Sequence, residues 1–393
     1  MTRLILTIVA ALAAILAGFY QISLKPKLIV LGEGRVIEPV GNTKCKVYKE
    51  VEACEKLVLH QPTGHLYMAC STQEERWHWI PTVNRLNATG KSMADYVAVF
   101  DPVASKITRL QTQGFKFHRG LSFHGMDVIQ SKYHPSDIIL YLINHKEPMP
   151  PARAEDVGTE SVIEIFRTKT GAGEMHYVST FKDPVIATPN DVVSTGDDES
   201  FYFVNDHGFD KTSWFRKLNL DVLLNIPLSN VGYCHAKDGC KVAIDGLMGA
   251  NGITKDKDGL YYVASSKTGR IYVLERQTDN TLVIVDEIPL DRPVDNLSVD
   301  RSGAIWGAGL PNALHMVNKH FANPKNVNTP SSALKITLNK DQNQYFGEKY
   351  KVEKVFEDNG EIASGSTSAV YDVQRKKLYL HGVAAPHLTV CEL

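Results

Sequence analysis

Short apolar and aromatic runs, each introduced by a tight polar turn, recur along this chain. They begin at Thr63-Gly64-His65-Leu66-Tyr67-Met68 and Ser136-Asp137-Ile138-Ile139-Leu140-Tyr141. Asp198-Glu199-Ser200-Phe201-Tyr202-Phe203 and Asp258-Gly259-Leu260-Tyr261-Tyr262-Val263 follow, then Ser302-Gly303-Ala304-Ile305-Trp306 and Lys376-Lys377-Leu378-Tyr379-Leu380. Each reads as a turn feeding a buried strand. Six units at intervals of roughly 45–75 residues match propeller blades with insertions. Ile271-Tyr272-Val273-Leu274 reads as the next strand of the blade before it. The expected fold is therefore all-β, a six-bladed β-propeller over residues 25–393. The competing arrangement is a pair of β-sandwiches.

The N-terminus has a different pattern. Arg3 precedes a charge-free apolar run from Leu4 to Tyr20, with Lys25 and Lys27 beyond it. As a helix this run would be about 26 Å long, marginal against a hydrocarbon core of about 30 Å. Residues 1–24 are read as a signal peptide or a signal anchor, a route into the secretory pathway in either case. Leu16-Ala17-Gly18 is a poor cleavage site. An anchor would leave the propeller on the lumenal or extracellular side, in reach of a membrane surface.

Two segments interrupt the strand rhythm. Pro148-Met149-Pro150-Pro151 is too proline-rich for a central strand. The stretch from His207 to Leu228, with Trp214, Phe215 and the leucine-rich run Leu218 to Leu224, reads as partly helical. Both are expected to wall or cover a binding face. The composition of the second suggests a lipophilic acyl or aryl group as its ligand.

Cysteine count and charge narrow the class. Six cysteines suit an oxidising compartment. Cys45 lies just after the leader and Cys391 is third from the end, so a bridge between them would close a propeller ring. Cys234 and Cys240 bracket a short loop that can close on itself, while Cys54 and Cys70 are open, paired or free. No zinc-type CxxC spacing occurs. Lysine plus arginine (43) nearly cancels aspartate plus glutamate (44), so no basic field recommends a nucleic-acid partner. Asn87-Ala88-Thr89 is a glycosylation sequon on a polar stretch, and a second, Asn296-Leu297-Ser298, falls among the site residues and is expected unmodified.

Four turn-like positions carry oxygen donors: Glu55, Asn190-Asp191, Asn251-Gly252 and Asp295-Asn296. Each has an ordinary explanation as a turn. Their recurrence in successive units suggests something else, because a propeller aims equivalent loops at one axial channel. Carboxylates mixed with amide carbonyls form a hard donor set suited to calcium. His124 in Phe123-His124-Gly125 and His145 in Ile143-Asn144-His145 are candidates for a base and its orienter. His207 is a third candidate. No Gly-x-Ser-x-Gly elbow is present, which disfavours the common serine hydrolase chemistry.

These strings, in order, carry a resemblance. Phe123-His124-Gly125, Asn144-His145, Asn190-Asp191-Val192-Val193, Asn205-Asp206-His207, Ala250-Asn251-Gly252-Ile253, the run Val294 to Asp300, and Gly365-Ser366-Thr367 are similar to the serum paraoxonase/arylesterase family. The likeness extends from Cys45 to Leu393. It implies a six-bladed propeller with two calcium ions on its axis. By this resemblance Glu55, Asn190, Asn251, Asp295 and Asn296 would hold the catalytic ion, with His124 as base and His145 as its partner. Asp191 and the Met126 carbonyl would hold a structural ion, and Cys45 would pair with Cys391.

One departure stands out. The family has an acidic pair where this chain reads Glu55-Lys56. A lysine there repels a cation, so the second calcium is expected to be weak or absent, with the Lys56 ammonium paired to Asp191 instead.

The activity expected is calcium-dependent opening of lactones or cleavage of aryl esters, with His124 and His145 activating water. The rivals are a phosphotriester hydrolase, a propeller of the strictosidine synthase kind, and a non-catalytic, calcium-stabilised binding propeller tethered to a membrane.

Overall fold

The computed structural model describes residues 2–217, 220–339 and 349–393. Leu218 and Asn219, part of the expected lid, lie outside the described residues. Six sheets form the body, antiparallel throughout except where Gln111–Gln113 joins Glu174–Phe181 in parallel at the outer edge of the second. In chain order, the innermost strands of blades 1 to 6 are Glu52–His60, Phe123–Gln130, Pro189–Ser194, Ala250–Lys255, Val294–Val299 and Ser368–Asp372. Each innermost strand packs beside the next, and the last packs beside the first, closing a six-bladed β-propeller.

The six turn-and-strand units read from the sequence become the second strand of each blade. These strands are His65–Ser71, Asp137–Lys146, Ser200–Asn205, Tyr261–Ser265, Ile305–Gly309 and Lys377–His381. Ile271–Leu274 falls in the third strand of blade 4, Arg270–Arg276, as its pattern suggested. The second strands read as unbroken apolar runs because both faces are buried. In blade 2, Ile138, Leu140 and Leu142 pack toward blade 1, while the alternate residues Ile139, Tyr141 and Ile143 pack toward blade 3. In blade 4, Tyr261 and Val263 face blade 3, and Tyr262 and Ala264 face blade 5. The apolar core is thus divided into wedges between neighbouring blades, which leaves the axis free for polar side chains.

The ring is closed from both ends of the chain. The outermost strand of blade 6, Cys45–Tyr48, pairs with Leu388–Glu392 so that Cys45 stands opposite Cys391, and the two are disulfide-bonded. Cys234–Cys240 closes the hairpin of the outer strands of blade 3. Cys54 and Cys70, left open by the sequence, are also paired, across the first two strands of blade 1.

The N-terminal helix passes the expected boundary at residue 24 and continues to Val30. From Arg3 to Val30 it is apolar and long enough to cross a membrane, and its most apolar window is not buried against the propeller. Its C-terminal end is tied to the lid by a hydrogen bond from Lys27 Nζ to the Leu223 carbonyl at 2.7 Å. Among the described residues, the segment expected to form a lid includes the short helices Trp214–Lys217 and Leu220–Leu224.

Candidate metal and catalytic site

Glu55, Asn190, Asn251, Asp295 and Asn296 sit near the start of inner strands, at positions where the strand register slips, while Asp191 pairs in register with Val204. In blade 1 the slips bracket Ala53 and Glu55, in blade 3 Asn190, in blade 4 Asn251 and Gly252, and in blade 5 Asp295 and Asn296. Such irregularities release a residue from the ladder and re-aim its side chain, a common device beside active sites. Two glycines let neighbouring blades come close enough to bring these donors together. A Cβ on Gly125 would lie 2.4 Å from the Asn190 carbonyl oxygen and 2.5 Å from Asp191 Cα. A Cβ on Gly252 would lie 2.5 Å from Asn296 Cα.

Glu55, His124, Asn190, Asn251, Asp295 and Thr367 line a cavity of about 570 Å³. The carboxylate of Glu55 is held by Thr367 Oγ1 at 2.6 Å and by Asn296 Nδ2 at 2.9 Å, and it lies 3.7 Å from His124 Nε2. Burial raises the Glu55 carboxyl to about 7, against the pull of those hydrogen bonds. Burial, then the negative charges of Glu55 and Asp191, push Asp295 well above the carboxylate range. These neighbours disfavour one another's charge in the absence of a cation.

The residues fit a hard cation. The Oδ1 atoms of Asn190, Asn251 and Asp295 are buried without a hydrogen-bond partner among the described residues. With Glu55 they make a set of oxygens only, the chemistry calcium prefers. The set contains just two carboxylates, and no group of three or more His, Cys, Asp or Glu is placed to hold a metal among the described residues. Asn296 is engaged otherwise: its Nδ2 is on Glu55, and its Oδ1 lies 3.4 Å from Lys56 Nζ. Among the described residues it contacts Glu55 and Lys56 and does not line the cavity.

The two histidines expected to cooperate are neighbours. The His124 and His145 rings lie 5.3 Å apart, centre to centre. His124 reaches the cavity floor, while His145 sits behind it, with its Nδ1 2.8 Å from Ser161 Oγ. His124 Nδ1 and His145 Nε2 have no hydrogen-bond partner among the described residues. Burial lowers His145 to about 3 and, with the His145 and Arg76 charges, holds His124 well below its ordinary value. Burial thus keeps both imidazoles neutral, with a free lone pair, and at the same time makes each a weaker base than an exposed histidine. His207 also lines the cavity, but its Nδ1 is 2.8 Å from Asp206 and its Nε2 3.0 Å from Lys267 Nζ. With the Lys267 ammonium on Nε2, it is less suited to act as the base.

On the far side of the inner strands, Lys56 Nζ meets Asp191 Oδ2 at 2.5 Å, both groups buried. Met126 is buried in the inner strand of blade 2, opposite Leu142 and next to the Gly125 that abuts Asp191. The sequon residue Asn87 is exposed, with its side chain on Thr89 and His78, whereas Asn296 is buried.

The cavity walls depart from expectation. The lid contributes His207, Arg216 and Leu223, but Pro148 to Pro151 do not line the cavity. Most of the apolar wall comes from Leu24, Leu28 and Leu31 at the helix end, Ile80 and Val83, and the segment from Leu310 to Phe321. No single sequence signal marks these residues, because distant segments meet only in the folded ring. Thr367 and Arg76 were missed as supports of the site. Thr367 was visible in the Gly365-Ser366-Thr367 string. Arg76 is fully buried, pairs with Asp95 at 3.3 Å, and binds the Phe123 carbonyl next to His124; nothing in its local sequence marks that role.

Comparison with known proteins places the chain in a family. The family model described as Arylesterase matches residues 37–393, and the chain belongs to this family. It is 33% identical to human serum paraoxonase/arylesterase 2 over 238 residues, 60% of this chain and 60% of that protein, less than two thirds of either. It is 26% identical to human serum paraoxonase/arylesterase 1 over 401 residues, spanning 100% of both chains. Among solved structures, the PQQ-bound aldose sugar dehydrogenase of Streptomyces coelicolor aligns with a TM-score of 0.49 at 12% identity, over 90% of this chain and 99% of that one.

Proposed function

We propose that this chain is a calcium-dependent hydrolase that opens lactones or cleaves aryl esters. The observation that carries the reading is the floor of the cavity, where buried, unpartnered oxygens stand beside a histidine that is neutral and open to the cavity. Glu55, Asn190, Asn251 and Asp295 would hold the calcium ion, with Asn296 orienting Glu55. A bound calcium supplies Lewis-acid polarisation of the substrate carbonyl and charge stabilisation for its oxygen.

The chain's own residues do the rest. His124 takes a proton from the attacking water, and His145 supports its ring from behind. The water oxygen bonds to the acyl carbon, the ring or ester C–O bond breaks, and the proton passes to the departing alkoxide. The products are a hydroxy acid from a lactone, or an acid and a phenol from an aryl ester. No covalent intermediate on the protein is needed. The leucine-rich wall favours a lipophilic acyl or aryl group and excludes bulk water.

The apolar helix and three disulfides point to the secretory pathway. The helix is read as an anchor or signal that brings the propeller near a membrane, and Asn87 as a glycan site.

The test is turnover of a γ-lactone, a δ-lactone, phenyl acetate and a phosphotriester, with EDTA and after calcium is restored. Lactone or ester turnover that disappears with chelation and returns with calcium is the expected result. A preference for the phosphotriester would replace the substrate class. No turnover by folded, calcium-loaded protein would leave a binding propeller.

A further inference from the structure

We infer that the axis of this propeller holds one divalent cation and one built-in cation, the Lys56 ammonium, which occupies the place where a second divalent ion would otherwise bind. The inference rests on the calcium reading above and deepens it. Glu55 and Lys56 are consecutive on the inner strand of blade 1, and their side chains go to different partners. Glu55 meets the cavity, while Lys56 reaches across the axis.

The Lys56 surroundings are those of a bound cation. Its Nζ donates to Asp191 Oδ2 at 2.5 Å, and the Asn296 Oδ1 and Leu297 carbonyl oxygens each lie at 3.4 Å. An ammonium has three protons, and these are three acceptors. Asp191 Oδ2 also accepts from the Ile253 amide at 2.9 Å. Blade 1 is thereby tied to blades 3 and 5 directly, and to blade 4 through Asp191. Joining inner strands in this way is what a structural metal ion on the axis would do.

Charge balance leads to the same count. Glu55, Asp191 and Asp295 are buried and contribute three negative charges when ionised. Lys56 contributes one positive charge and a single divalent ion two, so the axis is neutral. A second divalent ion beside Lys56 would leave two excess positive charges in a buried channel, a strongly unfavourable state. Counting the next carboxylate along the channel, Asp127, as ionised would still leave one excess positive charge with a second divalent ion. Its oxygens accept hydrogen bonds from the amides of Ser194 at 2.7 Å and Val128 at 2.9 Å. The neighbouring Arg76 is paired with Asp95.

Calcium counting by mass spectrometry on full-length protein, equilibrated in calcium and desalted, tests the proposal. One calcium per wild-type chain is expected, and two in Lys56→Glu, where a carboxylate replaces the ammonium. Lys56→Met should remain at one and unfold at a lower temperature. Two calcium ions in wild type, or one in folded Lys56→Glu, overturn the proposal. If Lys56→Glu does not fold, the wild-type count and a calcium isotherm decide it. Two ions with intact lactone turnover would refute the Lys56 role alone. One ion without turnover would refute the hydrolase reading alone, and a count of zero would refute both.

Discussion

Thr367 Oγ1 donates to Glu55 Oε2 at 2.6 Å and also meets the Glu55 backbone carbonyl at 3.1 Å, so one hydroxyl from the start of blade 6 holds both ends of a candidate ligand on blade 1. Thr367 in turn accepts from the Val383 amide at 3.1 Å. Replacing it with valine keeps the volume and removes these bonds. Groups that orient a metal ligand typically contribute about 10–100-fold in affinity. Thr367→Val should therefore weaken calcium binding by about tenfold in a competition titration against a chelating dye. Unchanged affinity would make Thr367 only a packing residue.

The glycine at 252 makes a prediction about stability. Its missing Cβ is the space occupied by Asn296 Cα and the Asp295 carbonyl oxygen, both backbone atoms of the next blade. Gly252→Ala must push blade 4 away from blade 5, and overpacking of this kind costs about 1–3 kcal/mol. Denaturant unfolding should show that loss, with a parallel loss of calcium affinity because Asn251 and Asp295 move apart. Gly173 offers the control, since nothing lies within 4 Å of its Cβ position and its backbone is not in the left-handed region. A destabilised Gly252→Ala that binds calcium normally would separate blade spacing from ion binding.

Much of this architecture is legible in the sequence, and the parts that are not have a common cause. Second strands announce themselves because a strand buried on both faces, such as Ile138 to Ile143, is apolar without a break. The donors Asn190, Asn251 and Asp295 are legible only through their recurrence, since each alone is an ordinary turn residue. The register slips that aim them have no marker, and neither do the contacts of Asn296 with Glu55 and Lys56. The cavity wall is hidden for a different reason: Leu28, Ile80 and Phe321 are far apart in sequence and meet only in the closed ring. Pro148 to Pro151 suggested a wall by composition, but a proline-rich loop can equally lie over the edge of a blade.

Removing the base should separate chemistry from metal binding. His124→Gln keeps a polar side chain at the cavity floor but cannot take a proton from water. A positioned general base contributes about 10²–10⁴-fold, so kcat for lactone opening should fall by that order while calcium content is unchanged. His145→Gln acts only through His124 and should cost less. Nearly intact turnover in His124→Gln would assign the chemistry to the metal site alone.

The folded protein should lose stability in mild acid. His381 is buried and accepts hydrogen bonds at Nδ1 from the Gly382 amide at 2.9 Å and the Cys54 amide at 3.4 Å. Burial lowers its pKa to about 3, from an ordinary value near 6.5. Its neutral form is the one the fold accommodates, so the unfolded chain takes up a proton first as pH falls. The contribution is fully present above pH 6.5 and declines toward pH 3. Binding one proton in the unfolded chain alone costs the fold at most about 1.4 kcal/mol for each step of one in pH, and half that at pH 6.5, so about 1.6 kcal/mol should be lost between pH 6.5 and 5 from this residue. Thermal unfolding across that range should show a slope that is shallower in a folded His381→Gln variant.

The end of the N-terminal helix should govern substrate size. Leu24, Leu28 and Leu31 line the cavity, and Lys27 ties the same turn to the lid through the Leu223 carbonyl. A long acyl chain would lie against these leucines, whereas a small lactone ring at the floor, near His124, would not reach them. A buried methylene contributes about 0.8 kcal/mol. Leu28→Ser should therefore raise KM for long-chain lactones by about tenfold, with kcat and the KM of a short-chain lactone little changed. A uniform fall in kcat for all substrates would instead show that the helix end supports the catalytic floor, making the wall a structural element and not a determinant of specificity.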